Sequence, residues 1–380
     1  MTRDLPRIGV AGIHGHGATH VRAALELARA GRAELVALAD PRPVAADAVP
    51  GARLFDDASR MIEDGGLDIV VLSTPMHTHL PLALAALEAG AHVLLEKPPT
   101  PTLADFHGLL AAAEAAGRAV QVGFQSLGSS AIPAVRRLID EGAVGEVRRF
   151  GALGTWLRSE AYWTRAAWAG RRELDGRPVV DGAVTNPLAH AVATALAVAG
   201  AHGEDDVADV RLDLHRANRI EADDTSSFVA ALADRPPLAA ALSLTAPRRS
   251  EPCVIVDGTD GRIMLWYTLD LVQVQHAGSA LPNTTAHERT GLLDNLVDHV
   301  SSGADLLVPL SSTGAFMRIL EAVRTAPDPT PLDPAYVERR IDDEGAHLVV
   351  DDIEAWSERV VLEGATFSEL GAPWARVSER

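Results

Sequence analysis

Arg7-Ile-Gly-Val-Ala-Gly-Ile-His-Gly-His-Gly17 is the stretch that decides the fold. A short apolar strand, Arg7–Ala11, runs directly into a glycine turn, and residues 18–30 beyond it carry apolar side chains at helical spacing. A strand, a glycine turn and a helix in that order let a pyrophosphate approach the amides of the helix N-terminus. The turn departs from G-x-G-x-x-G, because His14 stands at its middle glycine. Gly12, Ile13, His14, Gly15 and Gly17 are the candidate contacts.

Working outward, the first third keeps alternating. Strand-like runs at 34–39, 67–73, 92–95 and 119–123 are separated by helix-like runs at 80–89 and 103–116. Such alternation predicts a doubly wound parallel sheet with helices on both faces, here residues 1–125. The pattern then changes. Residues 132–141 and 185–199 read as helices, 147–157 as a longer strand, and five or six strand-like runs follow between 210 and 274. Residues 126–326 therefore read as an α+β substrate and oligomerisation domain with a large, mostly antiparallel open sheet. Residues 327–380 read as an extension that packs back on the body, with a helix near 353–362.

Composition narrows the function. The 380 residues carry 34 Lys and Arg against 52 Asp and Glu, a net charge of −18. That balance argues against nucleic-acid partners, which need clustered Lys and Arg, and against an anionic membrane surface. One cysteine, Cys253, permits no internal disulfide and no thiolate zinc site, which fits a reducing cytoplasm. Met1-Thr2-Arg3-Asp4 runs straight into the first strand without the apolar core of a signal peptide.

Ligands of parallel sheets bind beyond the carboxyl ends of the strands. Asp40 ends the second strand and suits adenosine ribose hydroxyls, so NAD is expected over NADP; nearby Arg42 is the residue that could accept a 2′-phosphate. Ser73-Thr74-Pro75-Met-His-Thr-His79 follows the next strand. Its two histidines invite a metal reading, but no acidic or cysteine partner lies close, and no metal is expected. Glu96-Lys97-Pro98 follows another strand, where burial would make the charge state of Lys97 tunable.

In this order, with Val122-Gly-Phe-Gln125 behind them, these residues resemble the glucose–fructose oxidoreductase / inositol dehydrogenase (Gfo/Idh/MocA) family. The resemblance is strong over 7–125 and extends in layout to about 325. It implies a Rossmann domain, a C-terminal α/β domain, a nicotinamide cofactor held by Ser73, Thr74, Pro75, His79, Glu96, Lys97 and Gln125 among others, and sugar or polyol substrates. It also implies a D-x-x-x-H motif on a helix, with both side chains on one face. Here the match is Asn186-Pro-Leu-Ala-His190, so the acid has become an amide that cannot titrate. Asp181, nine residues before His190, is a candidate substitute carboxylate. Lys97 and His190 are then the acid/base pair, with Asn186 orienting the hydroxyl. Trp163 and Arg165 belong to a patch with Trp156, Tyr162, Trp168 and Arg171 that suits a sugar face or an anion. Glu221-Ala-Asp223-Asp224 reads as a solvated turn. A homodimer or homotetramer is expected, because an open sheet face must be covered. Two alternatives keep the cofactor: a non-catalytic nicotinamide-binding sensor, and a redox-neutral NAD-dependent glycosidase or lyase.

Overall fold

The computed structural model describes residues 5–43 and 49–375, so the Met1–Asp4 reading lies outside the described residues. The chain divides into two compact units, Met1–Gly128 with Thr290–Thr313, and Ser129–Arg289 with Gly314–Arg380.

The first unit is a six-stranded parallel sheet of β1 (Arg7–Ala11), β2 (Glu34–Ala39), β3 (Arg53–Phe55), β4 (Ile69–Leu72), β5 (His92–Leu95) and β6 (Val120–Val122), in the order β3-β2-β1-β4-β5-β6. This is the doubly wound order, with strands stepping outward both ways from β1. All four residues of β4 are buried, the continuous apolar run of a strand covered on both faces. The edge strand β3 was not foreseen; its three residues are half-exposed or exposed and give no apolar run. The connecting helices are α1 (Gly17–Arg29), α2 (Ala58–Gly65), α3 (His79–Glu88) and α4 (Leu103–Ala116). Thr102 caps α4 by accepting from Asp105 N at 3.0 Å, and Gly117 ends it in a left-handed turn.

Residues 290–313, assigned from the sequence to the second domain, pack with this unit instead. Their helix, Leu292–Ser302, is tied to the end of α1 by Arg32, which reaches Asp294 and Asp298 at 2.8 Å each. Fully buried Gln121 of β6 donates to Leu292 O and accepts from Val308 N, closing the sheet edge on the returning segment.

The second unit is a nine-stranded mixed sheet. Its strands are β7 (Val147–Thr155), β10 (Val207–Arg216), β11 (Thr225–Leu232), β12 (Leu238–Ser243), β13 (Cys253–Gly258), β14 (Gly261–Trp266), β15 (Leu271–His276), β16 (Asn283–Ala286) and β17 (Thr330–Pro331), and a two-residue ribbon, β8 (Glu173–Leu174) with β9 (Arg177–Pro178), stands apart. The order is β16-β15-β14-β13-β7-β12-β11-β10-β17, antiparallel except at β7–β12 and β10–β17. Helices α5 (Ala131–Asp140), α6 (Ala189–Ala199) and α8 (Gly314–Thr325) complete it, Leu292–Ser302 being α7. Helix α6 packs on β7, β12 and β13.

Every residue of Leu238-Ala-Ala-Ala-Leu-Ser243 is buried, because both faces of the sheet are covered there. On one face Ala241, Cys253 and Ile255 join Val360 and Val361 of α9 (Ile353–Glu363) and Phe367 and Trp374 of the tail in a single apolar cluster. Small alanines let helices approach both sides closely, which is why weak strand formers persist here. The chain's own tail thus covers sheet surface for which a partner copy was expected. A hairpin of β18 (Val337–Asp342) and β19 (Gly345–Val350), not foreseen, precedes α9.

Two further expectations are corrected. The helix read over 185–199 begins at Ala189, since Pro187 disfavours helical backbone at Asn186. Asp223 and Asp224 are no solvated turn: they are 2% and 0% exposed. Asp224 accepts from Ala217 N, Asn218 N and Asn218 Nδ2, and Asp223 from Val184 N and Ser226 Oγ, so both hold loops together.

Candidate active-site residues

The glycine turn is set by close approach. Gly12 has φ of 78°, and a Cβ on it would lie 2.3 Å from Ser73 O. A Cβ on Gly17 would strike Gly12 O, so neither position admits a side chain. No side chain caps the first turn of α1, and above Gly15 a Cβ would meet nothing within 4 Å. The turn is therefore uncrowded at a helix N-terminus, where backbone amides can meet a phosphate group.

Asp40, 4% exposed, receives Ile13 N at 3.1 Å, and so fastens the turn to the end of β2. Arg42 folds over the same carboxylate through N at 3.0 Å and Nε at 3.1 Å. Burial pushes the Asp40 carboxyl up, but the Arg42 contacts outweigh it and hold the group below its ordinary value. His14 stands 3.9 Å from the same carboxylate and is partly exposed.

Beyond β4 and β5, two loops are joined by one ring. His79, 1% exposed, has Nε2 2.9 Å from Thr74 O and Nδ1 3.0 Å from Pro98 O. Burial lowers its pKa, against the two carbonyls. The ring fixes the Ser73-Thr74-Pro75 segment against the Glu96-Lys97-Pro98 loop, whose Lys97–Pro98 bond is cis. Thr78 Oγ1 donates to Thr74 Oγ1 at 2.7 Å.

Glu96 is engaged by four neighbours. Its Oε1 lies 2.8 Å from His20 Nε2 and 3.2 Å from His16 Nε2 and accepts from Gln125 Nε2 at 2.9 Å, while Oε2 accepts from Lys97 N at 3.2 Å. Burial would raise its pKa, but the two histidines hold it well below the usual carboxylate range. Reciprocally, the bond to Glu96 raises His16, over the opposing effects of burial and Lys97. Lys97, next in sequence, is half-buried. His16 and His20 were not singled out from the sequence. Their spacing of four at the start of a helix, which puts both on one face, was the available signal.

In the second unit, Asn186 and His190 are both half-buried, His190 in the first turn of α6 and Asn186 in the turn before it. They do not share a helix, as the motif spacing implied. Asp181 is 1% exposed and is already engaged by Arg165 Nη2 at 2.8 and 3.0 Å, by Gly170 N at 2.8 Å and by Asn186 Nδ2. Arg165 is itself stacked, 3.7 Å from the Tyr162 ring centre and 4.6 Å from that of Trp168. Burial pushes the Tyr162 hydroxyl up to about 12. Trp163, 8% exposed, stands edge-on to Tyr162 with ring centres 5.0 Å apart and lines a cavity of about 940 Å³ with Arg171 and Arg219. Asp181→Ala is expected to destabilise this unit by about 1–3 kcal/mol, because Gly170 N and Asn186 lose their acceptor. The quarter-exposed Arg165 side chain keeps access to water, which limits the loss. Thermal unfolding checks this, and Asp181→Asn should restore only part.

These two folds and the glycine turn define a dinucleotide-binding α/β domain joined to a mixed-sheet domain. Family models match both. Residues 6–124 match an oxidoreductase family with an NAD-binding Rossmann fold, and residues 132–264 match the GFO/IDH/MocA C-terminal domain. The chain belongs to the Gfo/Idh/MocA family. It is 38% identical over 144 residues to inositol 2-dehydrogenase 1 of Saccharopolyspora erythraea, covering 37% of this chain and 43% of that protein. The match thus spans less than half the length of this curated relative. Among solved structures, the WlbA dehydrogenase of Bordetella pertussis, in complex with NADH and UDP-GlcNAcA, has the same fold. Its TM-score is 0.70 at 24% identity, covering 84% of this chain and 95% of that one. Levoglucosan dehydrogenase, in complex with NADH and levoglucosan, superposes with TM-score 0.71 at 19% identity, covering 84% and 96%. Among the described residues, no helix is long and apolar enough to cross a membrane.

Proposed function

We propose that the chain is an NAD-dependent oxidoreductase that moves a hydride between nicotinamide and a CH–OH carbon of a sugar, cyclic polyol or related hydroxyl or carbonyl compound. The observation that carries this reading is the half-buried Lys97 behind β5, beside a carboxylate already spent on His16, His20 and Gln125. The open space over Gly15 and the acidic end of β2 fit a dinucleotide. Bound there, the nicotinamide supplies the hydride acceptor or donor.

In the oxidative direction His190 takes the hydroxyl proton, while Lys97 hydrogen-bonds the reacting oxygen and stabilises its developing charge; the two can exchange these roles. Asn186, held by Asp181, orients the hydroxyl, and Arg165 acts by fixing Asp181. Trp163 offers an aromatic face for substrate. The relatives that bear inositol and levoglucosan in their names support this substrate class. We further propose that the protein works as a homodimer or homotetramer, joined through surface other than the sheet face that its own tail covers.

Asp40 sets the cofactor. Its carboxylate accepts from ribose hydroxyls and repels a 2′-phosphate. Asp40→Ala removes that repulsion and releases Arg42 to meet a phosphate. The ratio of kcat/KM for NAD over that for NADP is expected to fall by roughly tenfold or more, or about 1.4 kcal/mol. An unchanged ratio would remove Asp40 from the cofactor site.

The deciding experiment follows nicotinamide reduction by the purified protein across inositols, aldoses and glycosides, with Lys97→Ala alongside. Turnover on one class, lost in the variant, supports the reading. Cofactor binding without turnover, together with a protein partner, would replace it by a sensor. Product formed without added NAD, from protein that retains its cofactor, would replace it by redox-neutral chemistry.

A further inference from the structure

We propose that His16, His20 and Glu96 form a binding site for one divalent transition-metal ion of the zinc class. Each offers one ligand atom, and the three atoms lie within 4.8 Å of one another. The site shares Glu96 with the proposed cofactor site, but its test reads metal binding alone and needs no turnover.

The donor chemistry selects the ion. Two imidazole nitrogens and one carboxylate oxygen suit Zn²⁺, Co²⁺ or Ni²⁺, whereas Mg²⁺ and Ca²⁺ prefer oxygen throughout. A tetrahedral ion with bonds of about 2.0–2.2 Å keeps its ligand atoms roughly 3.3–3.5 Å apart. Here the two ring nitrogens stand 2.8 and 3.2 Å from Glu96 Oε1, close to that spacing, and modest side-chain adjustment brings all three atoms onto one ion. His20 and Glu96 are buried and fixed, while the His16 side chain is 56% exposed and gives the entry path. Three protein ligands leave a fourth position for water, as in open His₂Glu sites. Without an ion, protons do its work: Glu96 Oε1 takes His16, His20 and Gln125 together. Metal bound through the two Nε2 atoms must displace any protons that His16 and His20 present to Glu96, so affinity falls as pH falls. The neighbouring Lys97 charge, felt at His16, opposes the ion and weakens the site.

The test titrates chelator-treated full-length protein with Co²⁺, read by its visible absorption, and with Zn²⁺, read by calorimetry. One equivalent with the absorption of nitrogen- and oxygen-ligated, low-symmetry Co²⁺ is expected. His16→Ala and Glu96→Gln should each weaken it tenfold or more, while His276→Ala, an exposed histidine outside the cluster, should leave it unchanged. If Glu96→Gln fails to fold, the exposed His16→Ala decides. No saturable binding up to about 100 μM, or equal binding by all variants, would overturn the proposal. The cluster would then be a carboxylate held by hydrogen bonds alone.

Discussion

Lys97→Ala is expected to lower kcat/KM on the true substrate by a factor of about 10²–10⁴, the range for a positioned acid/base group. In free-energy terms that is roughly 3–5 kcal/mol of lost transition-state stabilisation. The loss should fall mainly on kcat, because the lysine acts on charge that develops only as the hydride leaves. The fold should survive, since the side chain is only half-buried and the His79 and Glu96 contacts that hold its loop remain in the variant. Lys97→Arg should not restore the rate, because a guanidinium does not give up a proton near neutral pH and its planar fork cannot replace a point donor. Steady-state kinetics and cofactor titration on the same preparations separate the two effects. Retention of more than a tenth of wild-type kcat/KM would take Lys97 out of the chemistry.

The second large effect lies in the tail. Phe367→Ala should destabilise the second unit by about 3–5 kcal/mol, the sum of lost apolar burial and the cavity left behind. Phe367 is fully buried, its ring packs edge-on to Trp374 at 4.8 Å, and its backbone N donates to Ser227 Oγ of β11 at 2.9 Å. Ring and peptide together hold the segment after α9 against the sheet. Leu281→Ala, at a side chain 78% exposed, serves as the control and should fall within about 0.5 kcal/mol of wild type. Denaturant unfolding of both variants measures the difference, and a loss below about 1 kcal/mol for Phe367→Ala would mean that the tail is only loosely docked.

What the sequence made legible follows its periodicities. The glycine turn, the parallel strands and the loops after β4 and β5 could be read because a dinucleotide fold repeats apolar runs and turns in fixed order. The edge strand β3 escaped because Arg53-Leu-Phe55 has no buried run. The returning segment 290–313 escaped because a helix carries no mark of which unit it joins; that depends on Arg32 and Gln121, far away in sequence. In the candidate site, Glu96 was legible and its partners were not. His16 and His20 converge on it only once α1 is laid against the end of β5. Likewise the acidity at Asp223 and Asp224 suggested water, whereas backbone N–H groups that need acceptors drew both inside.

The division of the first unit into two stretches of chain bears on how the protein is made. Gln121 and the end of α1 wait for partners that begin at Thr290, well over a hundred residues after the stretch ending at Gly128. At roughly 5–20 residues per second, the ribosome needs on the order of 10–30 s to deliver them. During that interval the emerging Rossmann sheet has an unfinished flank, and much of the second sheet is already outside the ribosome. Neither domain can close as soon as its first stretch appears: the first waits for Thr290–Thr313, and the second waits longer still, for the Gly314–Arg380 stretch whose Phe367 and Trp374 complete its core.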